Sequence, residues 1–535
     1  MPHPLPAATT AVLLALLAAV PVRGQELALT LAGPHPGSDF GAAVGAVGDL
    51  TGDGVPEILV GAWRAGIGGP LAGAVYLHSG ADGAVLREHH GLPGHRLGLQ
   101  VLGLDDVDGD GSPDYALSAQ RNNNTGLLSG YAEIRSGATG ALLHHFETAS
   151  NWDRNGATLA APGDIDGDGV ADLLVGAPQD DWQGPGSGAV RLYSGATGAL
   201  LQIQFGRDPW DLFGTSACGV GDLDGDGRGD FAVGSPRADT PAAEAGSVQV
   251  FSGRTGAELR RIEGHPGDVL GVSVALAGDF DGDGRADLAV GAVDDFSSLT
   301  QRPGLVRVHS LLDGSTLAEF AEQRNTEGFG LSLAGLTDAN GDGYGDLLVG
   351  APYAGLVGAG GLASGAARLY SGLSGRLAAE YRGESTQDRR GAALAAAGDV
   401  NGDGLDDFLV GEPGGNPNGQ VTLFRSVDLP VISVSNLVAG QTAEVRTDGG
   451  DPGDYVLFFY GLSGFGSTVY GSGISLDLAS PAFQLGNATC DALGATTLPV
   501  PIPSGTRGVR VWLQAWHVGA VPPGHPSSAT TVVVG

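Results

Sequence analysis

Residues 163–178 read Gly163-Asp164-Ile165-Asp166-Gly167-Asp168-Gly169-Val170-Ala171-Asp172-Leu173-Leu174-Val175-Gly176-Ala177-Pro178. Asp164, Asp166, Asp168 and Asp172 fall at positions 1, 3, 5 and 9 of a tight loop, with Gly169 at position 6. Alternate residues of such a loop turn inward, and a hard divalent cation takes several oxygen ligands at short range. Glycine supplies the sharp bend. The logic is that of an EF-hand loop, but the closing acid comes sooner and an apolar run replaces the second helix. That run, Leu173 to Val175, is β-prone, and Gly176-Ala177-Pro178 ends it.

The loop recurs seven times, 57 to 61 residues apart, a period that points to a propeller, a solenoid or an array. Its candidate ligands are Asp49, Thr51, Asp53 and Glu57 in loop one, and Asp106, Asp108, Asp110 and Asp114 in loop two. Loop three is the stretch quoted above. Loop four has Asp222, Asp224, Asp226 and Asp230, and loop five has Asp279, Asp281, Asp283 and Asp287. Loops six and seven put Asn at position 3: Asp338, Asn340, Asp342 and Asp346, then Asp399, Asn401, Asp403 and Asp407. Loop one, with Thr51 at position 3 and Glu57 at position 9, is expected to bind most weakly. Arg228-Gly229-Asp230 spells an adhesion tripeptide, but it fills positions 7 to 9 of loop four, where Asp230 faces inward.

Other features keep phase with the loop. Before it stands a pair ending in Gly: Phe40-Gly41, Leu97-Gly98, Asn155-Gly156, Phe213-Gly214, Leu270-Gly271, Phe329-Gly330 and Arg390-Gly391. After it comes Gly-Ala-Pro or a relative, then an alternating strand such as Ala189 to Tyr193, a Ser-Gly-x-Thr-Gly turn and a last strand. Each repeat therefore holds four short strands, A to D, and the acidic loop joins A to B. From about residue 26 to 426 these motifs resemble the FG-GAP repeats of integrin α-subunits and their bacterial relatives. The resemblance implies an all-β, seven-bladed β-propeller with calcium, up to seven ions, in the A–B hairpins. Four antiparallel strands per repeat fit that fold independently. Repeat seven lacks strand D, and Glu26 to Leu31 precedes the first Phe-Gly where a D strand belongs. The N-terminal segment is expected to complete the last blade and remove the open edges.

The formal charge of −33 is largely cation chemistry, since 25 of the 60 acids stand at loop positions. Such acidity argues against nucleic acid as a partner. The 27 basic residues are all Arg, which excludes a phosphate loop lysine and Schiff-base chemistry. No nucleophile elbow, metalloprotease motif or paired-Cys motif is present. Cys218 occupies a position held by Ala in other repeats and reads as a small core residue. Residues 1–24 read as a signal peptide, with an apolar core from Ala11 to Val20 too short to span a membrane comfortably. The expectation is a secreted or cell-surface monomer without a transmembrane anchor. Residues 25–426 are the propeller, and 427–535, free of the repeat but rich in β-like runs, are a small β-sandwich.

B–C and D–A loops share one face of a propeller, here called the top, and loops carry function. Trp63, Trp152, Trp182 and Trp210 lie in these loops, three of them around blade three beside Asp153, Asp180, Asp181, Asp208 and Asp211. They are the candidate contacts for a protein or glycan ligand. His89-His90 and His144-His145 fall near D strands and read as solvated. The expected function is adhesion or ligand binding without catalysis. The alternatives are a lyase-like enzyme acting on acidic polysaccharide through Arg154, Arg207, Arg302, Arg324, Arg389 and Arg390, or a passive surface or matrix component.

Overall fold

The computed structural model describes residues 25–119, 121, 128–148, 152–239, 244–293, 304–322, 327–355, 363–415 and 417–426, and beyond these only the backbone of strands between 432 and 533. The segment 1–24 lies outside the described residues. The protein is all-β, with no helix among the described residues. Seven four-stranded antiparallel sheets follow one another along the chain. In blade three, strand A is Thr158–Gly163, B is Asp172–Ala177, C is Ala189–Tyr193 and D is Leu200–Phe205.

Burial is greatest in strand B and falls towards the rim. Strand B is buried at all six positions of Asp172–Ala177, because a neighbouring blade covers each face of the sheet. Such a strand reads as a continuous apolar run rather than an alternation. Strand D lies outermost and is largely exposed, as in Val85–His90. Strand A of every blade touches strand A of the next, and that of blade seven touches that of blade one, so the ring closes. The A strands are rich in Ala and Gly because they converge. A Cβ on Gly335 would stand 1.7 Å from the Leu276 carbonyl oxygen of the adjacent blade. Outer aromatics fill the wider seams: Phe146 of blade two stacks on Tyr193 of blade three at 4.3 Å.

Blade seven is built from both ends of this domain. Its strands A, B and C are Ala393–Gly398, Asp407–Glu412 and Gln420–Ser426. Its outer strand is Gln25–Ala32, paired antiparallel from Gln25 opposite Ser426 to Ala32 opposite Gln420. Asn418 Nδ2 donates to the Gly33 carbonyl at 2.6 Å and tightens the join. Past residue 426, strands form three-, four- and two-stranded sheets.

Candidate functional site: the cation hairpins and the top face

Each A–B loop is wound around its first acid. In loop one, Asp49 Oδ1 accepts the Gly52 amide at 2.6 Å and Oδ2 accepts the Gly54 amide at 2.7 Å. The position-5 acid caps the next turn: Asp168 Oδ1 accepts the Val170 amide at 2.9 Å. The position-9 acid is buried and works differently. Asp172 Oδ2 accepts the Ile165 amide at 2.8 Å, inside the loop, and Oδ1 accepts the Gly195 amide at 3.0 Å, in the C–D turn. Asp114, Asp230 and Asp346 repeat this double bond. One carboxylate thus ties both hairpins of a blade together.

The Ser-Gly turn exists for this contact. A Cβ on Gly195 would lie 2.0 Å from the Ala171 carbonyl oxygen, so glycine lets the amide approach there, while in blade seven the Ser426 amide makes the same bond to Asp407 Oδ1 at 2.6 Å. Blade five has Leu311 there, and Oδ1 of the buried Asp287 is left without a hydrogen-bond partner. A buried, unpartnered carboxylate oxygen is costly unless something else satisfies it. Close carboxylate groups occur in five loops: Asp49/Asp53/Glu57, Asp106/Asp108/Asp114, Asp164/Asp166/Asp172, Asp222/Asp224/Asp230 and Asp279/Asp281/Asp287, with ligand atoms within 4.8 Å in each. In loop six the Asn340 amide nitrogen donates to Asp346 Oδ1 at 2.8 Å, and in loop seven that of Asn401 donates to Asp403 Oδ2 at 2.9 Å. There an amide supplies the positive end that a cation would supply elsewhere.

Burial, reinforced by neighbouring acids and opposed by the backbone amides, pushes Asp172, Asp287 and Asp407 up to about 6 and Asp346 up to about 8. This acidic, oxygen-only donor set and the orphaned Asp287 oxygen fit a hard divalent ion such as calcium.

The top face has its own backbone rule. The residue before each Phe-Gly pair has positive φ in all seven blades: Asp39, Arg96, Arg154, Leu212, Val269, Gly328 and Arg389, between 53° and 67°. A second left-handed position lies two residues earlier. It is glycine at Gly37, Gly94 and Gly267, Gln387 in blade seven, and tryptophan in blades three and four: Trp152 at 73° and Trp210 at 71°. Both indoles are exposed, at 52% and 62%, and Trp182 is exposed at 77%. Trp210 lies against Gly186, and Trp182 stacks on Phe205 with ring centroids 6.1 Å apart. Trp63 differs. It is half-buried, and the guanidinium carbons of Arg64 and Arg96 lie 4.6 and 4.9 Å from its ring centre.

The acids beside the tryptophans are mostly braces. Asp153, Asp180 and Asp211 are buried, and Asp180 binds Arg191 Nη2 at 2.5 Å. Of the six arginines expected to face a substrate, Arg390 turns inward to Glu412 at 2.6 Å and Arg207 pairs with Glu258 at 2.7 Å. Arg302 and Arg324 lie outside the described residues. Asp230 is buried with both oxygens on backbone amides, and Arg228 reaches Asp164 of the preceding loop at 3.2 Å, so the tripeptide does not present its carboxylate. His89, read as solvated, is buried, with Nε2 2.7 Å from the Tyr115 hydroxyl. His145 stands between Glu133 and Glu147 at 3.2 and 2.5 Å. Cys218 is half-buried, and burial pushes its thiol up to about 12.

Sequence reading missed the left-handed turns, the C–D anchor and the glycine that opens each strand C. A Cβ on Gly73 would lie 2.2 Å from the backbone of Leu97, where a short parallel bridge joins consecutive blades. The signal was present, since Gly73, Gly130, Gly188, Gly246, Gly304, Gly365 and Gly419 keep the repeat phase.

The FG-GAP repeat family model matches residues 155–193, 213–251, 329–369 and 390–424. The chain is similar to integrin alpha-PS2 of Drosophila melanogaster, 31% identical over 250 residues, which cover 43% of this chain and 17% of that protein. It is 29% identical over 214 residues to integrin alpha-5 of Xenopus laevis, covering 36% and 19%. To human integrin alpha-IIb it is 32% identical over 220 residues, again 36% and 19%. The chain spans less than a fifth of the length of these curated relatives. Residues 25–426 form a seven-bladed β-propeller in which four repeats match the FG-GAP model, and the chain is similar over part of its length to integrin α-subunits.

Proposed function

We propose that the protein is an exported, calcium-binding propeller that binds a protein or glycan ligand on its top face and does no catalysis. The observation that carries this is the pair Trp152 and Trp210. Where blades one, two and five use glycine for a left-handed turn, blades three and four use a large aromatic and leave it exposed. A side chain in that conformation costs about 1–2 kcal/mol, and strain held at an exposed loop points to function rather than packing. With Trp182 these indoles form the contact surface. The integrin α-like repeats support an adhesive role.

Calcium would be held by the position 1, 3, 5 and 9 side chains of the A–B loops, most fully in loops two to five. When bound it neutralises carboxylates that otherwise repel across a few ångströms. Residues 1–24 would direct export, and 427–535 would fold as a separate sandwich on a monomeric chain.

A glycan and protein-ligand array, run in calcium and in chelator with product release followed in parallel, tests the reading. The variant carrying Trp152→Gly and Trp210→Gly should lose binding while melting at or above the parent temperature, since glycine relieves the turn. Equal binding by variant and parent removes the site, and shortened or unsaturated sugars would establish an enzyme instead.

A further inference from the structure

The residue before each Phe-Gly pair and the residue after each Gly-Ala-Pro element stand side by side, because one backbone hydrogen bond joins the two turns. Arg64 N donates to Ser38 O at 3.1 Å and Arg121 N to His95 O at 3.1 Å, and four other blades repeat the bond. These paired positions therefore form one ring on the top face, beside the bridges that join each Phe-Gly pair to the start of strand C of the preceding blade. In a chain of formal charge −33 at least one of each pair is basic from blade seven through blade four: Arg389, Arg64, Arg96 and Arg121, Arg154, then Arg237. The acid in the run, Asp39, is buried and lies 3.1 Å from Arg389 and 3.5 Å from Arg64. Trp63 gathers Arg64 and Arg96 over one indole. Burial, and then the charges of Arg121 and Arg64, hold Arg96 below the usual guanidinium range. Like charges are crowded here although the rest of the protein could have dispersed them, and an anion relieves such crowding.

We propose that this arc of arginines binds an acidic polysaccharide, a polymer carrying carboxylates on its sugar rings. The inference rests on the ligand-face reading above and names its ligand class. Guanidinium forks match carboxylates in two-point contacts. The arc leads towards Trp152 and Trp210, whose exposed indoles suit sugar faces. Duplex nucleic acid, with a charge every ~1.7 Å, calls for a broad basic surface. Six arginines, two of them on a buried carboxylate, suit a ligand with sparser charge.

The test uses the full chain in calcium, with polygalacturonate, dextran of matched length and an oligothymidylate as probes. The charge variant carries Arg64→Gln and Arg121→Gln, neither at a left-handed position, and the indole variant carries Trp152→Gly and Trp210→Gly. Polygalacturonate should bind best, fall off steeply with salt, and weaken by about tenfold or more in the charge variant at unchanged melting temperature. Equal binding of dextran and polygalacturonate, tighter binding of the oligothymidylate, or a charge variant equal to the parent would overturn the proposal. The arms separate the two readings. A glycan lost by the indole variant and kept by the charge variant leaves the ligand face standing and removes the arginine arc. Polygalacturonate lost by the charge variant and kept by the indole variant leaves the arc and removes the indoles.

Discussion

Two aspartates of one loop answer differently to the same substitution. Asp172 receives the amides of Ile165 and Gly195, both away from water, whereas Asp168 is exposed and holds one local amide. Hydrogen bonds to a charged group contribute about 1.5–3 kcal/mol each, and orphaning the donors adds to the loss. Asp172→Ala is therefore expected to cost about 3 kcal/mol or more even in chelator. Asp168→Ala should stay within about 0.5 kcal/mol in chelator, as surface changes do, and should show its deficit only as a smaller gain when calcium is added. Urea unfolding of both variants, with and without calcium, checks this. Similar losses in chelator would mean that position 9 is a ligand and nothing more.

At the level of strands, the segment Gln25–Ala32 decides whether the ring has an edge. Leu31 is buried with Phe40, Val421 and Leu423. Leu31→Ala should cost about 2–4 kcal/mol. Removing residues 25–32 should leave Gln420–Ser426 bare and drive self-association, seen as added mass in sedimentation. A monomer as stable as the parent would show that the pairing is dispensable. This strand was legible in advance because repeat seven lacked a D strand and the N-terminus offered one. The hairpin loops were legible for a similar reason: liganding chemistry fixes residue type and spacing together. What escaped reading was set by contacts between repeats. Val269 and Arg389 carry no mark of positive φ, because the turn is imposed by the bridge to the preceding blade. His89 turns inward because Tyr115 of blade two offers it a hydroxyl. The double role of the position-9 acid was hidden because metal binding alone already explained an Asp there.

Across the whole ring, the buried acids make stability depend on protons. Asp172, Asp287 and Asp407 sit near 6 and Asp346 near 8, against 3.8 for the ordinary carboxyl. Folding raises these values, so the folded metal-free chain holds more protons than the unfolded one, and its stability falls as pH rises from about 4 through 6 and on towards 8. Melting temperature in chelator should therefore drop between pH 5 and pH 8. Saturating calcium, which takes the place of those protons, should flatten or reverse the slope, and calcium binding at pH 6 should release protons. A metal-free melting temperature that climbs over the same range would contradict the assignment. The clasp of Asn418 on Gly33 has a consequence in time. The two residues are 385 apart in sequence, and closing a loop of that length costs about 5 kcal/mol of chain entropy. At about 5–20 residues per second of synthesis, the first strand made waits roughly 20–80 s before its partner exists. Six blades can be finished in that interval while this strand stays a bare edge, so the first strand of the ring to be made is the last to become native.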